Sequence, residues 1–279
     1  MSMGLVLALT AAVSYGAADF IGGVGSRRHS SWQLVLVGQA VGAIAMLVAG
    51  IVAPASPSAG DFAWAVLAGV GSATGSLFLF RGLSRGRMGL VAPVSAVGAA
   101  TVPVLVGVAL GERPTWLVWA GVLVALPGIW LVSRETTTGR TGGSRGALLD
   151  GVLAGAGFGV LFIALAQVTA DAGLLPLAAN QACGMLLTIV AATALRQPWR
   201  PALGVLGWGG ASGLLGSLGT LSFMFATGAT QLGVAAVLAS LYPAVTVLLA
   251  AGILRERLDT WQRLGLAVCT VAVATLAFG

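Results

Sequence analysis

Residues 111–124 read GERPTWLVWAGVLV and residues 255–268 read RERLDTWQRLGLAV. At an offset of 144, Glu112-Arg113 meets Glu256-Arg257 and Gly121 meets Gly265. The register runs without a gap from Met88 to Val132 against Leu232 to Leu276, with Gly89 on Gly233. Further upstream Trp64, Gly69 and Gly75 meet Trp208, Gly213 and Gly219, and Gln39-Ala40-Val41-Gly42 resembles Gln181-Ala182-Cys183-Gly184 at an offset of 142. The chain is an internal duplication.

The medium in which it folds follows from composition. Of 279 residues 58% are hydrophobic and only 8% are charged, and the mean hydropathy is +1.00; a soluble domain carries about 25% charged residues. The apolar runs are continuous and long enough for helices, whereas barrel strands would be about ten residues of alternating pattern. Ten spans are predicted, at 3–24, 33–53, 62–82, 89–110, 116–133, 147–169, 175–195, 204–226, 233–254 and 261–279. The first lacks a basic leader and is long enough to cross, so it reads as a span and not a signal peptide. The polar stretch RETTTGRTGGSRG, residues 134–146, reads as a flexible linker between a first repeat at 1–133 and a second at 147–279. Pro93 and Pro103 interrupt the fourth span, Pro127 the fifth and Pro243 the ninth. Membrane helices tolerate this where neighbours or a cavity satisfy the freed carbonyls.

Five spans per unit is an odd number, so the second unit enters from the opposite side and the repeat is inverted. Arginine placement tests this. All 14 basic residues are arginine, and 13 of them fall in or beside the odd-numbered loops, leaving Arg113 alone on the other face. The positive-inside rule puts the arginine-rich face, with the linker, in the cytoplasm and both termini outside. The arginines are thus orientation signals, and no nucleic-acid partner is implied. Small residues recur every four positions, as at Gly38 and Gly42, Gly71 and Gly75, Gly151, Gly155 and Gly159, and Gly209 and Gly213. That spacing lets helix backbones approach closely in lipid. Trp32, Trp64, Trp116, Trp130, Trp199 and Trp261 lie near span ends, as an interfacial belt requires.

The paired ends at Gly111 and Arg255, with Tyr15-Gly16 in the first span, resemble the drug/metabolite transporter superfamily, in particular its ten-span EamA-type members. The resemblance covers almost the whole chain. It implies two inverted five-helix repeats around a central cavity, lined mainly by spans one, three and four and by spans six, eight and nine.

Candidate site residues are few. Asp19 reads as the one acidic residue well inside an apolar run, and an intramembrane ionisable group is a functional hypothesis by default. It lies one turn from Tyr15, so both share a helix face. Either Asp19 takes up a proton or a cationic group of the substrate, or it forms an ion pair with Arg81. Gln39, Asn180 and Gln181 hold either a substrate or neighbouring helices. Ser72, Ser95, Ser240 and Tyr242 belong to hydroxyl stripes that serve a cavity or bond their own backbone. Glu112 and Glu256 precede the fifth and tenth spans, where an acid complements the helix dipole and Arg113 and Arg257 can pair locally.

A catalytic reading needs a nucleophile with a base, paired acids or a metal set. The chain has one histidine, His29, in a loop, and Cys183 and Cys269 lie inside apolar runs. No enzyme, cofactor or metal is expected. The stretch Gly69 to Gly75 lacks the lysine of a phosphate loop and reads as packing. The expected activity is secondary transport of a small metabolite such as an amino acid, by a monomer or homodimer in the plasma membrane. The resemblance tilts the direction to export, with proton exchange through Asp19. The alternative is a passive channel or an accessory subunit of a membrane complex.

Overall fold

A computed structural model describes residues 2–53, 55–84, 88–133 and 144–278. Residues 134–143, most of the expected linker, lie outside the described residues. The first half comprises α1 (Met3–Ser26), α2 (Ser31–Val52), α3 (Ala59–Ser84), α4 (Met88–Ala109) and α5 (Trp116–Ser133). The second comprises α6 (Ser144–Ala166), α7 (Leu175–Ala194), α8 (Leu206–Thr227), α9 (Leu232–Ala239), α10 (Tyr242–Ile253) and α11 (Thr260–Phe278).

Nine stretches among the described residues have the length and hydropathy of a membrane crossing, with α9 and α10 together making one. α8 is the tenth span. Its 22 residues include six glycines and three serines, which dilute its apolar character. It lies against α1 and α2, where small residues permit close approach.

The ninth span is predicted as one helix but is two. The break falls at Ser240 and Leu241, just before Pro243, whose ring clashes with the carbonyl four residues back and whose nitrogen donates nothing. The chain tightens there: the N–H of Leu241 donates to the carbonyl of Leu238 at 3.1 Å. α4, by contrast, runs through Pro93 and Pro103 as one helix.

Packing displays the inverted symmetry directly. α3 lies along α6 as α8 lies along α1, and α4 meets α6 as α9 and α10 meet α1. α2 with α7, and α5 with α11, pair across the pseudo-twofold. Each half therefore lends its first helix to the other half, giving two packed units: α3, α4 and α6 in one, and α8, α9, α10 and α1 in the other. Glycines sit at the closest crossings. A Cβ on Gly71 would lie 2.7 Å from the carbonyl oxygen of Gly157, and one on Gly98 would lie 2.9 Å from Gly155 Cα. Phe223 and Leu165 are fully buried in the centre of the bundle, while Ile51, Leu105, Leu186, Val190 and Leu248 face outward. That outer surface suits acyl chains.

Candidate functional site: a central cavity

A cavity of about 240 Å³ lies between α1, α2, α3, α6, α7 and α8, touched by Ala99 of α4 and Tyr242 of α10. Leu34 and Val35 near the start of α2, Leu79 near the end of α3 and Ser212 near the start of α8 line it. These positions carry it from mid-bundle toward the arginine-rich face. At the other end Phe162 packs between Phe223, 4.5 Å away and stacked, and Tyr15, 6.2 Å away and tilted. Three aromatic rings thus close the path toward the arginine-poor face.

Seven of the nine sequence-predicted site residues line this cavity: Tyr15 and Asp19 on α1, Gln39 on α2, Ser72 on α3, Asn180 and Gln181 on α7, and Tyr242 on α10. The helical spacing of Tyr15 and Asp19 places both on the cavity face. Tyr15 donates its hydroxyl hydrogen to Thr220 Oγ1 at 3.2 Å, and Thr220 donates onward to the carbonyl of Gly216 at 3.0 Å. Asp19 is exposed to the cavity.

The amides do both of the things considered for them. Gln39 Oε1 accepts from Thr188 at 2.9 Å, joining α2 to α7, and Gln181 Nε2 donates to Ser217 at 2.8 Å, joining α7 to α8. Both also face the cavity. Asn180 differs from them. It is 2% exposed, and its Oδ1 accepts no hydrogen bond among the described residues.

Two predicted residues fall outside. Ser95 and Ser240 are fully buried in helix contacts away from the cavity lining. Ser240 sits at the break between α9 and α10, so the phase of the ninth span shifts there and a regular stripe fails.

The expected alternative for Asp19 is overturned: Arg81 pairs with Asp150. Its Nε donates to Asp150 Oδ1 at 2.8 Å, Nη2 donates to the same oxygen, and the guanidinium lies 4.6 Å from the centre of the Phe78 ring. α6 begins at Ser144, which places Asp150 two turns inside the helix and fully buried. Asp19 is therefore not the only acid within a span.

Glu112 also departs from expectation. Its carboxylate does not serve α5; it accepts from the backbone N–H of Leu232 and, at 3.3 Å, of Gly233, so it caps α9. The first N–H groups of a helix lack intrahelical partners and attract an anion. Glu256, its repeat counterpart, accepts instead from Arg27 at 2.9 Å.

Phe158, Phe162 and Ser212 line the cavity as well and are not among the residues expected from the sequence. The phenylalanines lie one turn apart on α6, as Tyr15 and Asp19 do on α1, and that parallel stripe in the equivalent helix was the available signal. Ser212 donates to the carbonyl of Ala18 at 2.9 Å, and a single serine in a glycine-rich helix carries no signal of its own.

An inverted pair of five-span units around a mainly apolar cavity that carries a few polar groups, closed at one end, is the build of a membrane transporter. The chain belongs to the EamA-like transporter family, whose model matches residues 2–134 and again 145–278. It is thereby a multi-pass integral membrane protein of the drug/metabolite transporter type. A solved structure described as a crystal structure of a protein is similar to it with a TM-score of 0.80 at 16% identity, over 99% of this chain and 98% of the other. That likeness is one of fold. No curated protein matches the chain.

Proposed function

We propose that this protein is a secondary active carrier that exports a small metabolite, such as an amino acid, across the plasma membrane by alternating access, with protons exchanged through Asp19. The observation that carries the reading is the cavity itself. It sits at the interface of two inverted repeats, holds an exposed carboxylate, opens toward one face and is closed toward the other by Tyr15, Phe162 and Phe223. A cavity with access from one side at a time is what alternating access requires. A passive channel needs a path through, and the aromatic closure argues against it.

Purified protein in liposomes tests the proposal with a panel of radiolabelled metabolites, with and without a pH gradient. Saturable uptake with counterflow supports a carrier, and flux without counterflow supports a channel. Full pH-driven transport by Asp19→Asn would sink the proton-coupled version while leaving the carrier intact.

A further inference from the structure

The chemistry of the cavity narrows the substrate, resting on the carrier reading above. Among the described residues its lining contains one charged side chain, Asp19, and no arginine, lysine or histidine. A carboxylate or phosphate on the substrate would enter without a counter-charge, and burying an unpaired charge is costly. The break between α9 and α10 offers no substitute: Ser240 and Leu241 are buried away from the lining, and the partial negative charge at the C-terminal end of α9 offsets the partial positive charge at the N-terminal end of α10. A cation meets the reverse conditions. Asp19 supplies charge, while Tyr15, Phe158, Phe162 and Tyr242 supply ring faces for a cation and an apolar body. Asn180 adds a second, independent mark. Its buried Oδ1 lacks a donor among the described residues, an arrangement that costs about 1–3 kcal/mol unless a donor arrives.

We infer that, among small metabolites, the cavity takes a protonated amine with an aromatic or apolar body and no carboxylate in preference to the amino acid given above as an example, with Asp19 facing the ammonium group and Asn180 Oδ1 accepting a hydrogen bond from one of its N–H groups. Three probes that share a phenylethyl body test this: phenethylamine, phenylalanine and 3-phenylpropionate, as competitors and as counterflow substrates in liposomes. Phenethylamine is expected to bind at least tenfold more tightly than phenylalanine, and the acid not at all. Asn180→Leu is expected to weaken phenethylamine about tenfold and to leave its N,N,N-trimethyl derivative, which has no N–H to donate, within about twofold. An unchanged melting midpoint in detergent identifies a folded variant, and Asn180→Ala serves if leucine unfolds the protein. Preference for phenylalanine or the acid, or equal loss of both amines in Asn180→Leu, overturns the inference and leaves the carrier standing. Absence of counterflow for any metabolite brings down the carrier reading instead.

A second inference rests on the unequal contacts of the two repeat-equivalent glutamates. Glu112 caps α9, and α4 packs beside α9; among the described residues α4 has no comparable packing against α10. The fourth and ninth spans thus meet at the arginine-poor end and part at the other, where Glu256 is exposed and holds Arg27. The symmetry that sets Gly89 on Gly233 gives Glu256 an equivalent target, the N-terminus of α4 at Met88 and Gly89. We propose that the two glutamates exchange roles between states: Glu112 caps α9 when the cavity opens to the arginine-rich face, and Glu256 caps α4 when it opens to the opposite face. A Ser212→Cys reporter at the cavity mouth, with Cys183 and Cys269 replaced by alanine, reads the balance through its rate of labelling by a maleimide. Glu112→Ala is expected to slow labelling severalfold and Glu256→Ala to speed it or leave it at its maximum. The conservative Glu112→Asp should retain part of the effect of the cap. Shifts of both alanine variants in the same direction, or no shift in Glu112→Ala, overturn the exchange.

Discussion

Gly157→Ala puts the close packing of α3 and α6 to a quantitative test. A Cβ at position 157 would lie 2.8 Å from Gly75 Cα and 2.9 Å from Gly71 O, both backbone atoms of the facing helix. No rotamer change relieves such contacts, so the helices must separate by several tenths of an ångström. Overpacking of this kind costs about 1–3 kcal/mol. Against it stands the helix preference of alanine over glycine, up to about 1 kcal/mol. The net loss is about 1–2 kcal/mol, which lowers the melting midpoint in detergent by roughly 2–6 °C. Gly252→Ala is the control, because nothing lies within 4 Å of a Cβ there and the site is exposed on α10. It should melt at or above the parent. If the two variants melt together, the small-residue crossings are not what holds these helices.

Three further outcomes are expected. Arg81→Met removes the guanidinium that pairs with the fully buried Asp150 and should cost about 3 kcal/mol, with Arg81→Met/Asp150→Leu recovering at least half by the same melting assay; equal losses in single and double variants would refute the pairing. Asp61 accepts from the N–H and hydroxyl of Ser58 at 2.8 and 2.6 Å and from those of Thr169 at 2.9 and 3.1 Å, tying the start of α3 to the segment after α6. Asp61→Ala leaves these donors unmet and should destabilise by about 2 kcal/mol, and a neutral result would refute the tie. Gln197→Cys, in an exposed loop on the arginine-rich face, should resist an impermeant thiol reagent in intact cells and react after permeabilisation, with Cys183 and Cys269 replaced by alanine; labelling in intact cells would reverse the orientation.

The duplication made the fold legible because a repeat at constant offset needs no tertiary information. The spans came from the apolar runs, the inversion from five spans in each copy, and the close helix crossings from glycines at four-residue spacing. The cavity face was legible where two marks fell one turn apart on a helix, as with Tyr15 and Asp19. It was illegible where the chain leaves helical phase: Ser240 was assigned to a stripe that the break before Pro243 interrupts. Ion-pair partners were illegible for a different reason. Asp19 and Asp150 both lie within reach of the arginine-rich end in sequence terms, and only the docking of α6 on α3 selects Asp150 for Arg81.

Sorted by the two packed units, the polar contacts account for the end at which the cavity opens. Arg81 with Asp150 joins α3 to α6, and Asp61 with Thr169 ties α3 to the end of α6, both inside one unit. Arg27 with Glu256 joins the end of α1 to the segment after α10, inside the other. None of the three resists separation of the units. Glu112, which follows α4 and caps α9, does cross between them, and it lies at the arginine-poor end together with the ring contacts of Phe162 on Tyr15 and Phe223. Charge at the arginine-rich end therefore stiffens each unit without fastening one to the other. Rocking that opened the opposite face would have to break the Glu112 cap and the aromatic contacts while leaving the buried Arg81–Asp150 pair intact, because that pair travels with its unit.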